Sequence, residues 1–276
     1  MRLEKAIHLS TFTLEELRRR KALPGIVERY DWVHMGPEFC ENLFPPDDAL
    51  LGLADFFHRK DKRVCFVTPA LTEKGLSRLD RFLRSFQREA RRRSYALERF
   101  EITVNDLGAI QLIAERGLRI KTNLGRLLLD NVFEMRKDHL RVQNKYALRF
   151  FADLGINRFE ISTTGVRLRT NLSEAAAFGF DPLQLSLSLY YPFLNMTTTR
   201  TCFLGAKDIP DHEAIAGLVC GRECEICAFE MAHHRINEKL IIKGNTVFLS
   251  FPNKFYASET ELLAMRVDRL VYCPVP

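Results

Sequence analysis

The chain has no uninterrupted apolar run near the roughly 18 residues that a membrane-spanning helix needs, and the stretch from Met1 to Ser10 lacks the apolar core of a secretory leader. A cytoplasmic protein with no membrane span is the expectation. The sequence also lacks adjacent glycines, a G-x-S-x-G elbow and an H-E-x-x-H pair; His233 and His234 are neighbours and do not have the spacing that sets two imidazoles on one helix face. The usual signals of a glycine-rich cofactor loop, a serine hydrolase and a zinc protease are therefore missing. Charge of one sign is scarce as well: 41 basic side chains are offset by 35 acidic ones, leaving a formal charge of +6. Such a balance favours acidic partners only weakly. Three basic runs, Arg18 to Lys21, Arg59 to Arg63 and Arg91 to Arg93, fall at predicted helix ends, where cations offset the macrodipole and commonly face solvent.

What is present suits one substantial core. With 46% hydrophobic residues over a length of 276, the expectation is a single domain spanning residues 1–276. Short β-branched or aromatic runs alternate with longer helical periodicity, which predicts a TIM-barrel-like α/β fold of mostly parallel βα units. Strands are expected at Lys5 to Leu9, Tyr30 to Met35, Arg63 to Thr68, Phe100 to Val104, Leu118 to Thr122, Arg158 to Ser162 and Gln184 to Tyr191. Helices are expected at Leu14 to Lys21, Asp47 to His58, Glu73 to Arg93, Asp106 to Glu115 and His139 to Leu154. The rhythm breaks in a cysteine-rich insertion over about residues 195–235. Beyond it, Lys239 to Lys243 and Thr246 to Phe251 flank Gly244-Asn245 and predict a hairpin.

Seven cysteines without a leader point away from a disulfide framework and toward metal binding or buried thiols. Cys220, Cys224 and Cys227 form C-x3-C-x2-C, which brings soft sulfur ligands together in one short loop. Cys40 and Cys202 each follow a predicted strand at its C-terminal end, the face where barrels carry their chemistry. Five thiols thus compete for a metal centre: Cys40, Cys202, Cys220, Cys224 and Cys227. Cys65, inside Val64-Cys65-Phe66-Val67, and Cys273 read as core or incidental thiols. A structural zinc held by four thiolates is the alternative to an iron-sulfur cluster. Radical S-adenosylmethionine chemistry shares the C-x3-C-x2-C spacing, but here that spacing comes late in the chain and without a glycine pair.

The segments Phe100 to Gly108, Lys121 to Arg126 and Arg200 to Phe203, with the C-x3-C that follows, resemble the collagenase-like peptidase superfamily, peptidase family U thirty-two. Within it the chain is most similar to the short single-domain branch of oxygen-independent ubiquinone-biosynthesis hydroxylation factors. The resemblance implies a barrel and a 4Fe-4S cluster; Zn stays the alternative metal from the cysteine pattern itself. It also implies a part in hydroxylation of a quinone-like small molecule or an RNA, shared with a second iron-sulfur subunit. Peptidase activity and a zinc-stabilised binding role are the other readings, and no residue is assigned a catalytic role.

Overall fold

A computed structural model describes residues 2–136, 138–170, 172, 176, 181–205, 220–251 and 258–276. In chain order the elements open with β1 (Glu4–His8), α1 (Leu14–Arg19), α2 (Leu23–Arg29), β2 (Trp32–Met35), α3 (Asp47–Arg59), β3 (Arg63–Val67), α4 (Glu73–Arg93) and β4 (Phe100–Val104). They continue with α5 (Leu107–Glu115), β5 (Lys121–Leu124), β6 (Phe133–Arg136), β7 (His139–Val142), α6 (Lys145–Asp153), β8 (Arg158–Ser162), β9 (Arg169–Thr170) and β10 (Ser186–Tyr191). The last are β11 (Phe193–Thr198), β12 (Phe229–His233), β13 (Ile236–Lys243), β14 (Thr246–Ser250), α7 (Glu259–Ala264) and β15 (Val267–Tyr272).

Eight parallel strands close a barrel in the order β1, β2, β3, β4, β5, β8, β10, β15. The TIM-barrel-like α/β expectation holds. Strand alternation divides the buried side chains into two sets. One side of each strand, with Val33, Met35, Phe66, Ile102, Phe159 and Leu189, joins the apolar layer beneath the helices. Ala6, Trp32, Cys65, Tyr190, Val271 and Cys273 form a separate interior cluster. Around it lie buried polar groups, among them His34, Glu101, Glu160 and Arg269.

Helix starts follow local chemistry. Thr13 makes a capping box with Glu16, Thr72 accepts from the Gly75 amide, and Asp106 accepts from the amides of Gly108 and Ala109. Helix α4 spans the expected residues, its apolar face of Leu79, Phe82, Leu83 and Phe86 fully buried.

Four expectations need correction. The helix from His139 to Leu154 is instead β7 followed by α6, because Leu140 and Val142 pair with β6 while Asn144 caps the amides of Tyr146 and Ala147. The strand expected from Leu118 to Thr122 begins at Lys121, since the chain leaves α5 through Gly117 at φ +57° and reaches the sheet only after Ile120. The first helix ends at Arg19, and α2 follows with Pro24 in its first turn, where proline is compatible with a helix. The seven expected strands lack an eighth, β15, which closes the barrel between β1 and β10.

The barrel's lower interior is ionic. Arg269 donates to Glu101 at 2.7 Å and to Glu4 at 2.9 Å, and its guanidinium stacks 3.9 Å from the Trp32 ring centroid. Burial alone would raise the Glu101 carboxyl, yet Arg269 against it holds it well below the usual carboxylate range. Its stability contribution is therefore present above the unfolded-state value near 4.5 and is lost as pH falls below it. Glu101→Ala leaves the buried Arg269 guanidinium with Glu4 alone and should cost about 1.5–3 kcal/mol in urea unfolding at pH 7, with a smaller difference from wild type near pH 3. A loss below about 1 kcal/mol at pH 7, the range of an exposed pair, would contradict this account.

Candidate metal centre at the barrel mouth

Cys40 follows β2 across Gly36 to Phe39, at the C-terminal end of the barrel. The loop that carries it is pinned from both sides. Glu41 accepts from the Thr72 amide at 2.8 Å, fixing the loop to the N-terminus of α4, where a carboxylate meets the positive end of the helix dipole. Asn245 donates to Phe39 O at 2.8 Å and to Thr199 O at 2.7 Å, tying the same loop to the β13–β14 turn and to the end of β11.

The other thiols arrive on that frame. The Phe203 amide, next to Cys202, donates to Gly244 O at 2.9 Å, and the Gly205 amide donates to Cys202 Sγ at 3.3 Å. Arg222 donates to Asn42 O at 3.0 Å and so joins the Cys220–Cys224 segment to the Cys40 loop. Gly244 serves the turn twice. Its φ of +61° favours a residue without Cβ, and a Cβ there would sit 3.4 Å from Cys224 Sγ.

The structure brings together Cys40, Cys202, Cys220 and Cys224. Burial raises the Cys40 thiol, and the neighbouring Cys220 and Cys202 add to the shift. Burial, then the proximity of Cys40, Cys202 and Cys220, pushes Cys224 up to about 11. Cys40 and Cys224 resist ionising chiefly because they are buried, which is the electrostatic condition that a bound cation relieves. Cys227 stands apart: it is exposed, and its thiol turns back to Glu223 O at 3.5 Å. All seven cysteines are free thiols.

Beneath the mouth, Arg126 makes a buried bidentate pair with Glu38 and donates to Ser162 Oγ at 2.9 Å. Its guanidinium also lies 5.1 Å from the Phe39 ring centroid and 4.4 Å from that of Tyr190. A cavity of about 480 Å³ opens beside the thiols, with Glu38, Phe39, Cys40, Cys224, Lys243 and Asn245 in its wall. Deeper in the barrel, His34, Cys65 and Glu160 are fully buried and meet. Sequence reasoning set Cys65 aside as a core thiol, gave Arg126 an ordinary role at the edge of a strand-to-helix loop, and passed over Glu38 and Glu160. The alternation of charged residues with apolar ones in Arg158-Phe159-Glu160-Ile161-Ser162 was the available signal that charge faces inward.

No protein-family model and no curated protein sequence matches the chain. Among solved structures it is similar to a glycoside hydrolase family 18 N-acetylglucosaminidase from Paenibacillus barengoltzii, at 10% identity over 98% of this chain and 94% of that one, with a TM-score of 0.38. A family GH18 chitinase from Cycas revoluta is 11% identical over 98% and 94%, with a TM-score of 0.42. A class V chitinase from Nicotiana tobaccum is 7% identical over 99% and 93%, with a TM-score of 0.38.

Asn245→Ala removes the bond that holds the Cys40 loop to the turn beside Cys224 and the bond that ties the same turn to Thr199. It should cost about 1–3 kcal/mol in urea unfolding, since two partly buried carbonyls lose their donor. The thiols of metal-free protein should also react faster with an alkylating reagent. Unchanged stability and unchanged thiol reactivity would show that the loop is held by other contacts.

Proposed function

We propose that the chain is an iron-sulfur protein of the collagenase-like peptidase type, holding a 4Fe-4S cluster on Cys40, Cys202, Cys220 and Cys224. The observation that carries this reading is the convergence of four free thiols, from three separate segments, at the mouth of the barrel. Their spacing favours a cluster over zinc. Four sulfurs about 2.3 Å from a tetrahedral zinc lie about 3.8 Å from one another. Among the described residues, the only His, Cys, Asp or Glu trio with ligand atoms all within 4.8 Å of one another is His34, Cys65 and Glu160, so no three thiols at the mouth are that close. A cluster gives each thiolate its own iron and suits wider spacing.

When bound, such a cluster supplies one-electron transfer, and ligation by four cysteines leaves no iron open to a substrate oxygen. The residues of this chain do the rest. The Cys40 loop and the β13–β14 turn fix the ligands, and the cavity wall formed by Phe39, Lys243 and Asn245 sets a small molecule beside them. The oxygen-independent hydroxylation implied by the family resemblance fits an electron-transfer part, shared with a second iron-sulfur subunit.

Of the two substrate classes, a quinone-like small molecule is favoured over RNA. Several cations of the basic runs are spent within the fold: Arg59 on Asp55, Arg63 on Glu4, and Arg92 and Arg93 on Glu89. A phosphate-binding face would leave them free.

Protein purified without oxygen should contain iron and acid-labile sulfide. Single Ser substitutions at Cys40, Cys202, Cys220 and Cys224 should each remove most of both, whereas Cys227→Ser should leave them unchanged. Zinc bound by four sulfurs with no sulfide would overturn the reading, as would an iron loss at Cys227 equal to that at Cys220.

A further inference from the structure

We infer that the barrel interior holds a second and separate metal site, a divalent cation of zinc type bound by His34, Cys65 and Glu160. The three residues come from β2, β3 and β8, and each offers a ligand atom within 4.8 Å of the other two. All three are fully buried.

Two unpartnered atoms mark the vacancy in their bonding. His34 Nδ1 is engaged with the Tyr190 hydroxyl at 2.8 Å, while His34 Nε2 has no partner. Glu160 Oε1 accepts from Thr103 Oγ1 at 2.7 Å, while Glu160 Oε2 has no partner. Buried polar atoms are rarely left so. His34 Nδ1 also lies 3.9 Å from Glu160 Oε1, so the imidazole and the carboxyl face one another. The Tyr190 hydroxyl orients the His34 ring through its bond to Nδ1.

The ion pairs of the barrel leave Glu160 available to a cation. Each buried guanidinium of the barrel already has its carboxylates: Arg126 has Glu38, Arg158 has Asp268, and Arg269 has Glu101 and Glu4. Glu160 is the buried carboxylate left without one. Burial and the charge of Glu38 accordingly push it up to about 8, and burial also drives the Cys65 thiol well up and the His34 imidazole well down. A divalent ion balances one thiolate and one carboxylate, leaving His34 neutral with a lone pair to donate. One sulfur, one nitrogen and one oxygen donor is a borderline-soft set, which suits zinc over magnesium or calcium.

The test uses the full chain, purified anaerobically with its iron in place. Wild-type protein folded in cells supplied with zinc, and then freed of excess metal, should retain about one zinc per chain. Absorption at the zinc edge should report one sulfur among nitrogen and oxygen neighbours. His34→Ala and Glu160→Gln should lower retained zinc at least about tenfold, with iron and sulfide unchanged. Cys65→Ser, the smallest change and the safeguard if the other variants fail to fold, should remove the sulfur from the zinc shell. Wild-type protein that retains no zinc overturns the inference, as does zinc that persists in both His34→Ala and Glu160→Gln. Zinc surrounded by four sulfurs also overturns it, and counts separately against the cluster at the mouth. Loss of iron with interior zinc intact would sink only the cluster reading.

Discussion

Guanidinium groups packed inside a closed barrel impose the condition on which the remaining structure rests. An unpaired charge in that position would cost several kcal/mol, so each must meet a carboxylate from another strand. Arg269 on β15 draws in Glu101 from β4 and Glu4 from β1, and so ties the last strand to the first. Arg158 on β8 meets Asp268 on β15 across the intervening β10. These pairs set register as well as closure, because a strand displaced by one residue would turn its charge into the apolar layer beneath the helices.

The same condition reaches upward to the mouth. Arg126, just after β5, can be buried only because Glu38 extends into the barrel from the loop after β2. That loop carries Cys40 two residues further on. The position of one thiol is therefore inherited from an ion pair, and the other three are referred to it through the Arg222 side chain on Asn42 O, the Phe203 amide on Gly244 O and the Asn245 side chain on Phe39 O. Backbone carbonyls and amides fix these thiols more than side-chain packing does. This explains how an irregular segment between β11 and β12 can present ligands at defined places.

How much of this was legible in the sequence depended on period and on chemistry. Strands with strict alternation and helices with a hydroxyl or carboxylate cap were readable, as at Phe100–Val104 and Glu73–Arg93. Strand β15 was not, since Val267-Asp268-Arg269-Leu270 places two charges in a run that looks like surface until Glu101, Glu4 and Arg158 supply partners from distant strands. The convergence of Cys40 with Cys202 followed from each lying after a barrel strand. The register of C-x3-C-x2-C did not, because it depends on the short 3-10 turn at Glu223–Glu225 that buries Cys224 and leaves Cys227 outside. Cys65 looked apolar for the same reason that hid β15. Its neighbours Val64 and Phe66 face the helices, while its own side of the strand faces His34 and Glu160.

The two proposed metal sites differ most in how an ion reaches them. Cys40 and Cys224 border a cavity, and Cys40, Cys202 and Cys220 retain some exposure, so a folded chain has room to receive the proposed cluster there. His34, Cys65 and Glu160 have no exposed surface, and strands enclose them on every side. A cation enters that position while the barrel is open, and afterwards leaves only as fast as the barrel opens again. On these two proposals the interior ion belongs to folding and the mouth to exchange and redox chemistry. Thiol chemistry points the same way: Cys65 is held strongly protonated by its surroundings until an ion displaces the proton, so it does not compete for iron delivered to the folded protein.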